Sequence, residues 1–274
     1  MVNARPAVRR TPSCTLRWTL CLITFRVLHE GRWAPGSSDR SESGLFVADG
    51  VSRPTLLLVH GAWHGAWCWE KLRSVLEAAG WRTRAIDLPS AGGRAGMPDD
   101  AHAVLEELKL IDGSVVVVAH SYGGVPVSQA AAEAGNVSRI VYLAALQLDV
   151  GESLFGFAGT PLPPEPRSFE PVPNDPITMF YGGVPRSEAE EAAKRLVPQS
   201  TKSFWDVLTQ AAWHTVPSTY IVCEDDQALP AQAQQVLAER SNEVRRIAGD
   251  HSPFLSKPVE LAALLSKIAL ESDG

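Results

Sequence analysis

A chain of 274 residues is long enough for one large globular domain, and a hydrophobic content of 45% is ordinary for such a domain. No run of eighteen apolar residues occurs, so we expect no membrane span. Residues 1–50 carry seven arginines against four acidic residues, but the rest of the chain is acidic, with 18 basic and 27 acidic residues, which argues against a nucleic-acid partner.

Residues 1–53 differ in composition from everything that follows. The apolar run Leu20–Ile23 lies between Arg17 and Arg26 and precedes no clear small-residue cleavage site, which is unlike a secretory signal peptide. From Gly36 to Arg53 the chain is rich in Ser, Gly and charged residues, as linkers are. We therefore predict a disordered extension and linker over residues 1–53, although secretion through it stays open. The four cysteines show no metal-like pairing, which favours a reduced, cytoplasmic setting.

Short apolar runs alternate with helical segments through most of the remaining chain. The predicted strands are Thr55–His60, Arg82–Asp87, the valine run at 115–118, Val137–Ala144, Ser218–Cys223 and Glu243–Ile247. The predicted helices are Cys68–Ala79, Pro98–Leu110, the segment after Gly124, Pro230–Arg240 and Lys257–Leu270. This alternation implies an α/β fold with a mostly parallel, doubly wound sheet, whose ligands bind at the carboxyl ends of its strands.

The strand rhythm is interrupted between residues 147 and 215. This stretch is rich in Pro and contains one clear helical segment, Ser187–Leu196. It is too long to be a simple loop. We predict that residues 147–215 form a helical cap, or lid, inserted into a core made of residues 54–146 and 216–274.

The segment Ser114–Gly124 reads Ser-Val-Val-Val-Val-Ala-His-Ser-Tyr-Gly-Gly and places Ser121 between a buried strand and a helix. A serine at such a turn, with small residues two before and two after it, is the nucleophile elbow of α/β-hydrolases. The turn strains the serine backbone and brings its flanking residues so close together that large side chains would clash. Ala119 at the first small position is a mild departure from glycine. Ser121 is therefore the predicted nucleophile.

A serine hydroxyl needs an imidazole to take its proton, and His251 is the best placed of the seven histidines. It lies in Ala-Gly-Asp-His-Ser-Pro, directly after the last predicted strand. His120 precedes the serine and points elsewhere on the turn, and His214 lies just before a strand, at the opposite edge of the sheet. His251 is therefore the predicted general base.

The acid that orients the base should follow a strand and lie between nucleophile and base in the chain. The stretch Val222–Pro230 offers three adjacent carboxylates in that position. Asp226 is the first choice, Asp225 the main rival and Glu224 the third candidate. Asp149, after the preceding strand, is a weaker alternative.

A tetrahedral oxyanion needs preorganised N–H donors. The fold provides one from Tyr122, the residue after the nucleophile, and one from the loop after the first strand, where Ala62 is the best candidate and Gly61 allows close approach. His60 and His64 are four residues apart, but on a Gly-interrupted loop without a third carboxylate ligand nearby. We therefore expect no metal and no cofactor.

Several motifs occur together in a fixed order. They are Val59-His-Gly-Ala-Trp-His-Gly-Ala-Trp-Cys-Trp69, Ala119–Gly124, Thr219–Pro230 and Gly249-Asp-His251, with Phe180-Tyr181 and Leu196–Gln199 in the predicted cap. Over about residues 54–270, the chain therefore resembles the methylesterase and hydroxynitrile lyase branch of the α/β-hydrolase superfamily. The resemblance implies a triad of Ser121, Asp226 and His251, since the family's acid is the aspartate four residues before the proline that matches Pro230.

The two chemistries of this branch differ at two positions. Lyase members carry Thr after the His of the first motif and Lys after the catalytic His, where this chain has Gly61 and Ser252. Because a lyase needs a cation to stabilise departing cyanide, the resemblance points to ester hydrolysis. We expect a cofactor-free serine carboxylesterase that hydrolyses a small-molecule ester through an acyl-enzyme. Lyase-like carbon–carbon cleavage and a non-catalytic small-molecule binding protein are the alternatives.

The substrate-binding side chains are harder to select. The candidates are His60, Gly61, Trp63, Phe180, Tyr181 and Trp205. The aromatic members of this set fit a cap core as well as they fit an acyl pocket. The sequence is compatible with a homodimer and leaves the oligomeric state open.

Overall fold

The central sheet follows from short apolar runs separated by helices. The computed structural model describes residues 53–160 and 168–271, so the predicted extension lies outside the described residues except for Arg53. The strands in the described residues are β1 (Thr55–Val59), β2 (Thr83–Ile86), β3 (Val115–His120), β4 (Val137–Leu143), β5 (Phe169–Glu170), β6 (Gln199–Ser200), β7 (Ser218–Cys223) and β8 (Glu243–Ile247). Six of them form a parallel sheet in the order β2-β1-β3-β4-β7-β8, and β5 pairs with β6 in an antiparallel ribbon.

Helices connect these strands and cover both faces of the sheet. They are α1 (Glu70–Ala78), α2 (Met97–Lys109), α3 (Gly124–Ala130), α4 (Leu154–Phe157), α5 (Pro176–Phe180), α6 (Arg186–Lys194), α7 (Lys202–Trp205), α8 (Ala231–Ala238), α9 (Pro253–Ser256) and α10 (Pro258–Leu270). Short 3₁₀ turns occur at Ala66–Trp69, Ser121–Gly123 and Ala212–His214. Throughout the described residues, every helix is too short or too polar to span a bilayer.

The central strands β1 and β3 are apolar on both faces because the sheet separates two cores. In β1, Leu57 and Val59 point into one core together with residues of α2 and the 147–215 segment, whereas Leu56 and Leu58 point into the other, against α1 and α10. The valines of β3 divide between the two cores in the same alternating way. A strand buried on both faces reads as a continuous apolar run, which is why these strands are visible in the sequence.

Residues 147–215, called the cap segment from here on, lie between β4 and β7 and contribute no strand to the main sheet in their described part. Their short helices supply buried aromatic side chains, including Phe155, Phe180 and Phe204, to the core that also contains α2 and α3. The opening of this segment as a lid stays a prediction.

The predicted elements and the observed ones agree closely. Strands β7 and β8 have the predicted bounds, and the helix predicted over Pro98–Leu110 is found at Met97–Lys109. The register sets Val59 level with Ala119, and Ala119 level with Tyr142. Because neighbouring parallel strands end at the same edge, the loop after β1 begins beside the turn after β3.

Candidate active site

Ser121 lies at the sharp turn that ends β3, and its backbone is strained. Its φ angle is +51°, in the left-handed region that side chains other than glycine rarely occupy. The turn leaves little room for side chains: a Cβ on Gly123 would lie 2.5 Å from the His60 carbonyl oxygen, and one on Gly61 would lie 2.7 Å from the Ser121 Cβ. Glycine is therefore required at both positions because the two backbone segments approach closely. Their absence of side chains allows the loop after β1 to pack against Ser121.

Asp226 and His251 form a buried pair at the carboxyl ends of β7 and β8. His251 Nδ1 donates a hydrogen bond to Asp226 Oδ2 at 2.7 Å. The other carboxylate oxygen accepts the backbone amides of Ala228 and Leu229 at 2.7 and 2.8 Å, and Gln234 Nε2 donates to Oδ2 at 3.0 Å. These bonds orient the carboxylate, and they place the Nδ1 proton of His251 on the side that faces Asp226.

The other three carboxylates considered from the sequence lie outside this pair. Asp225 and Glu224 are exposed, and Glu224 lies 3.8 Å from an arginine guanidinium on β8. Asp149 accepts a hydrogen bond from His214 Nε2 at 2.8 Å. The structure therefore brings Asp226 alone of these four to His251.

His120 precedes the serine, and its ring is fully buried beside the His251 loop. Because a carbonyl oxygen can only accept, the 2.8 Å contact means that His120 Nε2 donates to the His251 carbonyl. The two imidazole rings lie 4.6 Å apart between centroids, and Phe254 packs edge-on against His120 at 4.9 Å. Burial, followed by repulsion from His251, holds the pKa of His120 well below its ordinary value of 6.5, so the ring is neutral.

The imidazole of His60 orients the peptide bond that joins Gly61 to Ala62. His60 Nδ1 donates to the Gly61 carbonyl at 2.7 Å, and the Leu88 amide donates to His60 Nε2 at 2.9 Å. The carbonyl and the N–H of a trans peptide point in opposite directions. The Ala62 N–H therefore points away from the His60 ring. Since both ring nitrogens are bonded within the protein, His60 supports the loop rather than offering a free nitrogen to a ligand.

A second buried imidazole holds the next peptide of the same loop. His64 Nδ1 donates to the Ala62 carbonyl at 2.8 Å, and the Tyr181 hydroxyl donates to His64 Nε2 at 2.8 Å. Burial lowers the pKa of His64 to about 3, so this imidazole is neutral near pH 7. Tyr181 thus contacts the loop through His64.

One aromatic candidate packs against His251, the predicted base. Phe180 lies 5.7 Å from the His251 ring and 5.8 Å from Trp63 between centroids, and Trp63 also packs edge-on against Phe204. Trp205 packs instead against Phe155, at 4.7 Å, and its part in an acyl pocket stays a prediction. Of the aromatic candidates, Phe180 is the one that contacts the base.

A buried carboxylate lies beneath the residue that follows the serine. The Tyr122 hydroxyl donates to Asp100 Oδ2 at 2.6 Å, and Ser90 donates to the same carboxylate through its amide and its hydroxyl. Burial raises the pKa of Asp100 to about 6, although these hydrogen bonds oppose the shift. Asp100 therefore anchors Tyr122 from the core side.

Sequence reasoning missed the supporting contacts of His120 and Asp100. A histidine directly after a run of buried strand residues is itself expected to be buried and bonded, which was the available signal for His120. Asp100 follows Asp99 in the first turn of an amphipathic helix, where an exposed carboxylate is the usual outcome, and no local pattern marks it as buried. In the parts of the chain that the structure describes, His, Cys, Asp and Glu side chains form no group of three that could hold a metal ion.

The chain is similar to known proteins along most of its described length. The profile of the alpha/beta hydrolase family matches residues 56–264. Methylesterase 7 from Arabidopsis thaliana is 30% identical over 257 residues, and norfluorocurarine synthase 2 from Strychnos nux-vomica is 31% identical over 260 residues. Each alignment covers 81% of this chain and 98% of the relative. The crystal structure of a methylesterase from Arabidopsis matches with a TM-score of 0.68 at 27% identity, covering 78% of this chain and 98% of that one.

Proposed function

The chain belongs to the alpha/beta hydrolase family as a carboxylic ester hydrolase, and from that premise we propose that it cleaves small esters through an acyl-enzyme formed on Ser121. The observation that carries this proposal is the buried hydrogen bond from His251 Nδ1 to Asp226, placed at the strand edge where the strained serine lies. It supports an imidazole whose Nε2 lone pair is available to accept a proton.

In the proposed reaction, Ser121 Oγ attacks the ester carbonyl carbon while His251 Nε2 takes the hydroxyl proton. Asp226 holds the imidazole and stabilises the imidazolium that forms. The oxyanion accepts hydrogen bonds from the Ala62 and Tyr122 amides. The carbonyl then re-forms, the alcohol leaves with the proton from His251, and water attacks the acyl-enzyme by the same route to release the acid and regenerate the serine.

Two observations bear on the substrate. Phe180 packs against His251, which supports an apolar wall beside the reacting carbonyl and favours an ester whose acid part is compact and apolar or aromatic. Methylesterases are among the relatives, so a methyl ester is the first substrate class to test. The neutral side chain of Ser252 beside the base favours hydrolysis over the lyase alternative, because departing cyanide requires a cation.

The direct experiment compares p-nitrophenyl acetate hydrolysis by the wild type, Ser121→Ala and a control, Ser187→Ala, whose side chain is exposed on α6. We expect Ser121→Ala to lower kcat by about 10⁴- to 10⁶-fold and Ser187→Ala to leave it unchanged. Fluorophosphonate labelling followed by peptide mapping should place the adduct on Ser121 in the wild type. Equal turnover by wild type and Ser121→Ala, or an adduct on another serine, would refute the assignment.

A further inference from the structure

Protein hydrogen bonds hold the peptide groups of residues 60–64, called the oxyanion loop from here on. The carbonyls of Gly61 and Ala62 accept the His60 and His64 imidazoles. The next residue, Trp63, is held by the cap segment instead. Its carbonyl accepts the backbone amide of residue 197 at 3.0 Å, and its own amide donates to the side chain of residue 199 at 3.2 Å. The conformation of the oxyanion loop therefore depends on cap residues.

Gln199 makes the side-chain part of this contact, and its carboxamide has one orientation. The group is buried, with 1% of the residue exposed. Its Nε2 donates to Ser90 Oγ at 2.6 Å and to Ser203 Oγ at 2.9 Å, so its Oε1 faces the Trp63 amide. Both amide hydrogens and the oxygen are thus used, and a flipped carboxamide would place hydrogens against an N–H donor.

The same network reaches the second residue that we assign to oxyanion binding. Ser90 accepts from Gln199 and donates its hydroxyl proton to Asp100 at 2.5 Å, and Asp100 also accepts the Tyr122 hydroxyl. Tyr122 and the oxyanion loop are therefore joined through a continuous set of buried hydrogen bonds that begins on the cap segment. Such a network is stable only when every member is satisfied.

Strain in the loop shows why an external support is needed. Trp63 has a φ angle of +63°, which a residue with a bulky side chain rarely adopts. Strain of this kind is unfavourable and persists only where the surroundings impose it. Gln199 binds the amide of this strained residue, next to the Ala62 peptide.

We propose that Gln199 is a positioning residue for ester hydrolysis, because it holds the oxyanion loop in the conformation that aims the Ala62 amide at the developing oxyanion. The inference rests on the proposed function. Its consequence is that the hydrolytic site is complete only while the cap segment is docked, so that cap displacement removes oxyanion stabilisation and leaves the Asp226–His251 pair intact.

The test uses Gln199→Met, which keeps the length of the side chain and removes its hydrogen bonds, with Gln232→Met as the matched control. Gln232 is exposed on α8, so this control makes the same substitution outside the hydrogen-bond network of Gln199. With p-nitrophenyl acetate, we expect Gln199→Met to lower kcat about 10- to 100-fold with KM within about twofold of the wild type, a loss below that of an oxyanion donor itself. Gln232→Met should retain wild-type activity.

Inhibitor binding separates positioning from general damage. The inhibitor 2,2,2-trifluoroacetophenone adds to a serine and forms an oxyanion, whereas acetophenone binds without adding. We expect Gln199→Met to weaken binding of the trifluoroketone by the same factor as kcat and to leave acetophenone binding unchanged. If Gln199→Met does not fold, Ser90→Ala is the second variant, since it removes an anchor of the Gln199 amide. It should also lower kcat and weaken binding of the trifluoroketone.

The outcomes distinguish this inference from the function on which it rests. A wild-type chain that neither hydrolyses esters nor reacts with fluorophosphonate overturns the proposed function and this inference with it. If the wild type is active and Gln199→Met has the same kcat, KM and trifluoroketone affinity as the wild type, this inference alone is overturned. Equal weakening of the trifluoroketone and acetophenone also overturns it, because that result indicates a damaged pocket rather than a misplaced oxyanion donor.

Discussion

The two halves of the candidate site are supported by different parts of the molecule. The Asp226–His251 pair is held by the segment that follows β7, since the carboxylate is bonded by Ala228 and Leu229 of the loop and by Gln234 of α8. The oxyanion loop is held partly across the site, by cap residues that include Gln199. The hydrogen bonds to the Asp226 carboxylate thus come from the core, whereas those to the oxyanion loop come from the core and the cap segment together.

Because the two halves have different supports, substitutions in one half should have different effects from substitutions in the other. Variants in the supports of the pair should affect proton transfer, and variants in the supports of the loop should affect oxyanion stabilisation. The predictions below test whether the two halves respond separately, beginning with the largest expected effect.

The first prediction breaks the core-supported half. Asp226→Asn keeps the size of the side chain but removes the charge that stabilises a protonated imidazole, and it favours the wrong tautomer of His251. We expect kcat for p-nitrophenyl acetate to fall by about 10⁴-fold. Asp225→Asn is the matched control, because Asp225 is adjacent and exposed, and it should retain wild-type kcat. A large loss in Asp225→Asn with none in Asp226→Asn would reverse the assignment of the acid.

The second prediction tests the link from the elbow to the base. His120→Phe keeps a ring against Phe254 but removes the hydrogen bond to the His251 carbonyl, so the loop that carries the base is less restrained. We expect kcat to fall about fivefold with little change in KM, since one lost hydrogen bond is worth about 1 kcal/mol.

His120→Gln supplies the comparison for that variant. Its carboxamide can donate to the same carbonyl, so it should recover part of kcat even though a ring is lost. Thermal unfolding of both variants shows whether activity follows stability. If the Phe variant is as active as the wild type, or the Gln variant is the less active of the two, His120 does not position the base.

The third prediction concerns Asp100, which supports Tyr122 in the oxyanion half and whose titration affects stability rather than kcat. Its pKa rises from the ordinary 3.8 to about 6 on folding, mainly because of burial, so the folded protein holds a proton that the unfolded chain has lost between these pH values. Stability from this group is therefore fully present below about pH 4 and is lost as the pH rises through about 6.

Asp100→Asn removes this titration without a large change of shape. As the pH rises from 4 to 7, the free energy of unfolding of the wild type should fall relative to that of the variant by up to about 3 kcal/mol. Urea denaturation at a series of pH values measures this quantity. A pH-independent difference would show that Asp100 has an unshifted pKa in the folded protein.

The central strands β1, β3 and β7 could be predicted because all their residues are buried, on both faces of the sheet. The edge strand β8, which reads Glu-Val-Arg-Arg-Ile and is only partly buried, follows instead from its β-branched residues and from its place between two helices. The need for glycine at Gly61 and Gly123 could also be predicted, because two backbone segments that approach so closely leave no space for a side chain.

The choice between neighbouring carboxylates could not be made from the same patterns. Asp225 and Asp226 are adjacent and chemically identical, and only the fold buries one and exposes the other. The same limit applies to Gln199, whose partners Trp63 and Ser90 lie more than a hundred residues away in the chain.

The sequence by itself determined the fold class and the strained turn at Ser121, because these depend on local periodicity and on backbone crowding within a few residues. The order proposed for nucleophile, acid and base follows from that fold class. Only the tertiary structure decided which acid meets His251 and which cap residue holds the oxyanion loop. Hydrogen bonds between distant segments form where the packed sheet and cap segment bring those segments together, and no local pattern in the chain encodes which segments meet.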